Sequence, residues 1–205
     1  MKGKLILSIL IAAFLWFVMF SPWTAGKVNF WYAMTFSAIT LIILALSFGK
    51  EGLKGLRFTW KQIMFGIVIA AVLWGVFWVG DKVSQMMFDF ARPGIDSIYG
   101  MKGSTNSLFI ALALLFIIGP AEELFWRGFV QHSLMQKMGK YWGSALAILI
   151  YTGIHVWSFN PMLLLAALAC GVIWGVLYLY NPRWLPALII SHAIWDACAF
   201  VIFPF

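Results

Sequence analysis

Apolar runs of about 20 residues recur along this chain, and no other feature restricts its fold as strongly. They cover residues 4–22, 28–48, 62–80, 107–131, 141–158, 160–180 and 184–204. A stretch of that length crosses the hydrocarbon core as a helix, because only a helix satisfies every backbone N–H and C=O within one lipid-exposed segment. Of the 205 residues, 63% are hydrophobic and 10% are charged. Soluble domains carry roughly 45–50% apolar and about 25% charged residues. The expectation is an all-α integral membrane protein, a single domain over 1–205, built as a bundle of about seven transmembrane helices. Lys2 and Lys4 before an apolar run resemble the start of a signal peptide. Leu5 to Phe20 is long for such a segment, so it reads as a retained first helix.

The net charge of +7 reflects loop anchoring to a lipid bilayer and gives no nucleic-acid signal. Lys2, Lys4, Lys50, Lys54, Arg57, Lys61, Lys137, Lys140 and Arg183 fall at one set of helix ends. Lys27, Lys82, Arg92 and Lys102 fall at the other. The larger set predicts a cytoplasmic N-terminus and an outer C-terminus. Trp23, Trp31, Trp60, Trp78, Trp142, Trp157 and Trp184 lie near segment ends, as an interfacial aromatic belt would place them. The longest connection, 81–106, holds Val83, Met86, Met87 and Phe90 at helical spacing before Pro93-Gly94. It reads either as a short amphipathic helix at 83–92 or as a covered loop. Asp81, Asp89 and Asp96 in this stretch are expected in solvent. Cys170 and Cys198 show neither metal spacing nor a disulfide framework.

The few polar residues inside the spans carry the functional information. An ionisable side chain at membrane depth costs about 3 kcal/mol even on the lower scales, which makes it a site candidate. The candidates are Glu122, Glu123 and Arg127 in the fourth span, His155 in the fifth, and His192 and Asp196 in the seventh, with Tyr151, Thr152 and Ser191 beside them. At about 1.5 Å per residue, Glu122 lies roughly 14 Å from residue 131, His155 about 21 Å from 141, His192 about 12 Å from 184 and Asp196 about 18 Å from 184. All four fit one layer near the midplane. Glu123 and Arg127 are four apart and can pair on one helix face, which leaves Glu122 about 100° away and uncommitted. His192 and Asp196, and Tyr151 and His155, are likewise four apart.

Three motifs stand in order: Glu122-Glu123-Leu-Phe-Trp-Arg127, Tyr151-Thr-Gly-Ile-His155 and His192-Ala-Ile-Trp-Asp196. Together they resemble the CPBP family of intramembrane proteases, which includes type II CAAX prenyl endopeptidases and bacteriocin-processing or self-immunity membrane proteins. The resemblance covers about 120–196 and places a catalytic core in 107–204. Two positions depart from the pattern. Tyr151 stands where the family usually has Phe, and Asp196 stands where the prenyl proteases have Asn. An amide can donate a hydrogen bond to an oxyanion, whereas an ionised carboxylate cannot.

The resemblance implies a membrane-embedded endopeptidase acting on a peptide or protein presented at the membrane. Glu122 would be the general base, His155 would hold the attacking water, and His192 with Asp196 would stabilise the oxyanion. Glu123, Arg127 and Tyr151 would support the site. Glutamate chemistry without a cofactor is favoured. Zinc stays open, because Glu122, His155, His192 and Asp196 are all acceptable ligands, although no HExxH is present. Two non-catalytic classes compete: a self-immunity or scaffold protein that binds through the polar cavity, and a small proton-coupled transporter.

Overall fold

The computed structural model describes residues 2–204, the side chain of Lys2 falling outside that description along with Met1 and Phe205. Every regular element among the described residues is helical. Helix α1 spans Lys2–Phe20, α2 Phe30–Phe48, α3 Trp60–Met87 and α4 Ala91–Gly100. Helix α5 runs continuously over Ser107–Met138. Helix α6 is Lys140–Gly153 continued by a 3-10 stretch at Ile154–Ser158, α7 is Pro161–Tyr180, and α8 covers Pro182–Ile202. Six of these, α1, α2, α3, α5, α7 and α8, are long and apolar enough to cross a membrane. The protein is therefore a multi-pass helical membrane protein. The expected fifth span is helical throughout, but its α-helical part is only 14 residues long before the backbone tightens at Ile154.

Local sequence explains the starts. Asn29, Asn106 and Asn160 each accept hydrogen bonds from two backbone N–H groups of the following first turn. Thr59 does the same for Gln62 N. These side chains satisfy donors that a helix N-terminus leaves open. The outward faces are apolar and exposed, as at Phe14, Phe36 and Phe116, as contact with lipid requires.

Three boundaries differ from the sequence reading. Helix α3 continues through Val83 to Met87, so the short helix expected at 83–92 sits instead at Ala91–Gly100. Pro93 and Gly94 open that helix rather than end a preceding one. Proline is tolerated there because a first-turn N–H has no partner within the helix. Helix α5 ends at Met138, two turns past the expected residue 131, which puts Glu122 about 24 Å from that end. Trp31, in the first turn of α2, is buried against Phe200, whereas Trp23, Trp60 and Trp142 are exposed.

Helix α5 is not uniform. Segments Leu114–Ile118 and Leu124–Gln131 are π-helical and flank the α-helical turn Gly119–Glu123. Pro120 supplies a cause for the first: it cannot donate, and its ring would clash with the carbonyl four residues back, so a widened turn relieves the contact. Such π turns concentrate at functional sites. Next to Pro120, a Cβ on Gly119 would fall 2.6 Å from Ala193 Cα. Glycine thus lets α5 press against the backbone of α8. Gly66 plays the same part between α3 and α8, where a Cβ would meet Ala187 O at 2.6 Å. Helix α8 is consequently central, with buried residues along most of Leu185–Ala197.

Candidate functional site

The close contact at Gly119 brings the α5 acids to the α8 imidazole. Glu123 is fully buried, and its Oε1 accepts from Arg127 Nη1 at 2.9 Å and from His192 Nδ1 at 2.8 Å. Arg127 is buried too, with its guanidinium over the Tyr151 ring (4.7 Å) and near the Trp174 ring (5.5 Å). A buried ion pair holds only if the charge is matched and the remaining donors are used. The two aromatic faces and the Cys170 carbonyl, 3.5 Å from Nη2, do that here.

His192 is fixed from three directions. Its ring stacks on Trp174 with centroids 3.9 Å apart, Nδ1–H points at Glu123, and Nε2 lies 3.5 Å from Asp196 Oδ2. Trp174 is itself held by an Nε1–H bond to Ser191 Oγ at 3.1 Å. With a carboxylate facing each ring nitrogen, the position suits an imidazole that donates from both.

Glu122 lies one residue away and faces different surroundings. It is 3% exposed, and its Oε2, like that of Glu123, has no hydrogen-bond partner. The charged groups around it are His192, Asp196, Arg127 and Glu123. It lines a cavity of about 380 Å³ whose wall also includes Tyr151, His155, Cys170, His192 and Asp196. All four proposed reactive residues thus face one space. The wall is otherwise mostly apolar, and it reaches the surface at Val76, Gly80 and Leu165, between α3 and α7.

His155 has both ring nitrogens engaged. Its Nδ1–H donates to the Tyr151 carbonyl at 2.9 Å, and its Nε2 accepts from Trp16 Nε1–H at 3.1 Å. An indole N–H only donates, so this fixes the tautomer. Both ring nitrogens are engaged by protein groups, and a water can be held at Nε2 only in exchange for Trp16. The same engagement bears on zinc: among the described residues no three His, Cys, Asp or Glu side chains are arranged to share a metal ion.

Sequence reasoning passed over Trp16 and Trp174 and misplaced Asp81. A tryptophan within an apolar span gives no signal beyond packing. Asp81 was expected in solvent beyond the third span. It is 6% exposed inside α3 and lines the same cavity as Glu122. Asp89 and Asp96 are exposed, as expected.

The fold and the site define a multi-pass helical membrane protein with carboxylates and imidazoles around a cavity. Residues 104–198 match the model of a family described as "Type II CAAX prenyl endopeptidase Rce1-like". That segment contains all three motifs and most of α5 through α8, so over this part the chain is similar to a family of membrane proteases. Helices α1–α4 fall outside it. Comparison with curated proteins and with solved structures gave no match.

Proposed function

We propose that the protein is a membrane-embedded endopeptidase in which Glu122 activates water. The observation that carries this reading is the division of labour between the paired acids. Glu123 neutralises Arg127 and orients His192 through Oε1, and of the two acids only Glu122 lines the cavity, with no ion pair of its own. A carboxylate so placed takes a proton from a water in the cavity as that water attacks a peptide carbonyl. His192, donating from Nε2, then stabilises the oxyanion, and the Asp196 carboxylate beside that nitrogen favours the donating form. Trp174 and Glu123 keep the ring from turning. His155 holds the water after Trp16 yields Nε2. The proton on Glu122 passes to the leaving amine, so no covalent enzyme intermediate is needed.

The substrate is a peptide or protein segment presented at the membrane, reaching the site through the opening between α3 and α7. The catalytic core is residues 107–204 within a single membrane domain. The distribution of lysines and arginines supports a cytoplasmic N-terminus. The test uses protein in lipid nanodiscs and a mixture of membrane-derived peptides, with new termini read by mass spectrometry. Wild-type protein is expected to produce new termini, equally with and without a chelator, and Glu122→Gln is expected to produce none. New termini produced equally by both proteins would refute the assignment. A binding role without hydrolysis would show as capture of peptides by both proteins with no cleavage by either.

A further inference from the structure

Asp81 lies outside the segment that matches the protease family, yet it forms part of the same cavity wall as Glu122. Phe77, one turn earlier on α3, packs on Trp195 with ring centroids 4.7 Å apart. Trp195 adjoins Asp196, so Asp81 sits about 6 Å farther along α3 from the level of the candidate catalytic groups. The cavity wall as a whole is mainly apolar.

An anion buried against apolar surface is costly unless a cation or several donors compensate it. Compensation here is partial. Gln85 Nε2 donates to Asp81 Oδ1 at 2.7 Å. Oδ2 lies 3.0 Å from Lys82 Nζ, an ion pair without the geometry of a directed hydrogen bond. The Lys82 side chain is 55% exposed. It is long, flexible and free to leave for the headgroup region. Arg92 on α4 pairs with Asp96 and lies within electrostatic reach of Asp81 without contacting it. The Asp81 carboxylate is therefore deeply buried, reachable from the cavity and held by a replaceable cation.

We propose that Asp81 is a cation-binding subsite of this cavity, taking the ammonium or guanidinium of a basic side chain set among apolar residues, with Lys82 moving aside as it binds. Resting on the endopeptidase reading, this makes Asp81 the determinant that selects peptides with a Lys or Arg close to the scissile bond. The protein's net charge of +7 repels cations in general, so a preference for a basic peptide requires a local site.

The test measures binding of acetyl-Leu-Leu-Lys-Leu-amide and its norleucine counterpart to purified protein in a neutral detergent. Wild-type protein is expected to bind the lysine peptide about tenfold more tightly, as a charge-assisted contact would give. Asp81→Asn should abolish the preference, and Lys82→Ala, which removes the competing cation, should enlarge it. Equal binding of both peptides to wild type, binding of neither, or a preference that survives in Asp81→Asn overturns the proposal. If Asp81→Asn does not fold, Lys82→Ala decides, and an unchanged or smaller preference in that variant overturns it. Lysine preference without hydrolysis would retain the subsite and refute the peptidase. Hydrolysis without the preference would do the reverse.

Discussion

Glu122 and Glu123 are adjacent on one turn of α5 and face different surroundings: Glu123 Oε1 takes two charge-assisted bonds, while Glu122 lines the cavity and makes no ion pair. Their substitutions should therefore separate. Glu123→Gln leaves the Arg127 guanidinium buried without its counter-charge, a loss of about 3–5 kcal/mol. It should lower the unfolding temperature sharply and reduce the folded yield. Glu122→Gln removes no ion pair and should unfold at or above the wild-type temperature. Thermal unfolding of both variants in one detergent checks this, and a reversed order would show that Glu122 carries the structural ion pair.

Trp16 and His155 are joined across the bundle by a 3.1 Å hydrogen bond. Trp16→Phe keeps the ring and removes the N–H, at a cost of about 1 kcal/mol in stability. The variant frees His155 Nε2. If that nitrogen holds the attacking water, turnover rises while the unfolding temperature falls. Turnover that falls in step with stability would make the histidine structural only.

Asp196 occupies the position of the amide in the prenyl proteases that its motif resembles. Its Oδ2 is 3.5 Å from His192 Nε2, where a carboxamide could also sit. Asp196→Asn should stay within about tenfold of wild-type turnover, because either side chain can orient the imidazole. Asp196→Ala should lose about a hundredfold, as when one oxyanion-stabilising group is removed. Steady-state rates for the pair measure the difference, and equal losses would show that the carboxylate charge itself is required.

Gly119 sets the spacing between the two site helices. A Cβ there meets Ala193 backbone atoms at 2.6 and 2.7 Å, and backbone cannot rotate away. Gly119→Ala should cost about 1–3 kcal/mol. It should also abolish turnover, since the 2.8 Å contact from Glu123 to His192 depends on that approach. An active variant of wild-type stability would show that the helices can separate without harm.

The candidate site residues were legible where the sequence had little competing explanation. Charged and imidazole side chains are scarce within the spans, so Glu122, His155, His192 and Asp196 stood out, and a common cavity wall is where the structure puts them. The pairing of Glu123 with Arg127 followed from helical spacing alone. Trp16 was hidden because tryptophan in an apolar helix signals packing, and its hydrogen bond to His155 arises from a contact 139 residues away. Asp81 was misread because a carboxylate after an apolar run looks like the beginning of a loop. Helix α3 instead continues through it to Met87. The π turns of α5 left no trace because hydrophobic periodicity follows the regular helix, and Pro120 marks a disturbance without specifying its form.

The central claim is that Glu122 activates the water, and its most direct test is the initial cleavage rate of Glu122→Gln relative to wild type. The substrate is any peptide found to be cut in the nanodisc assay, and the preparations are matched for unfolding temperature. Loss of general-base catalysis predicts a fall of about a thousandfold. A rate within tenfold of wild type would contradict the assignment and move the chemistry to another residue of the cavity.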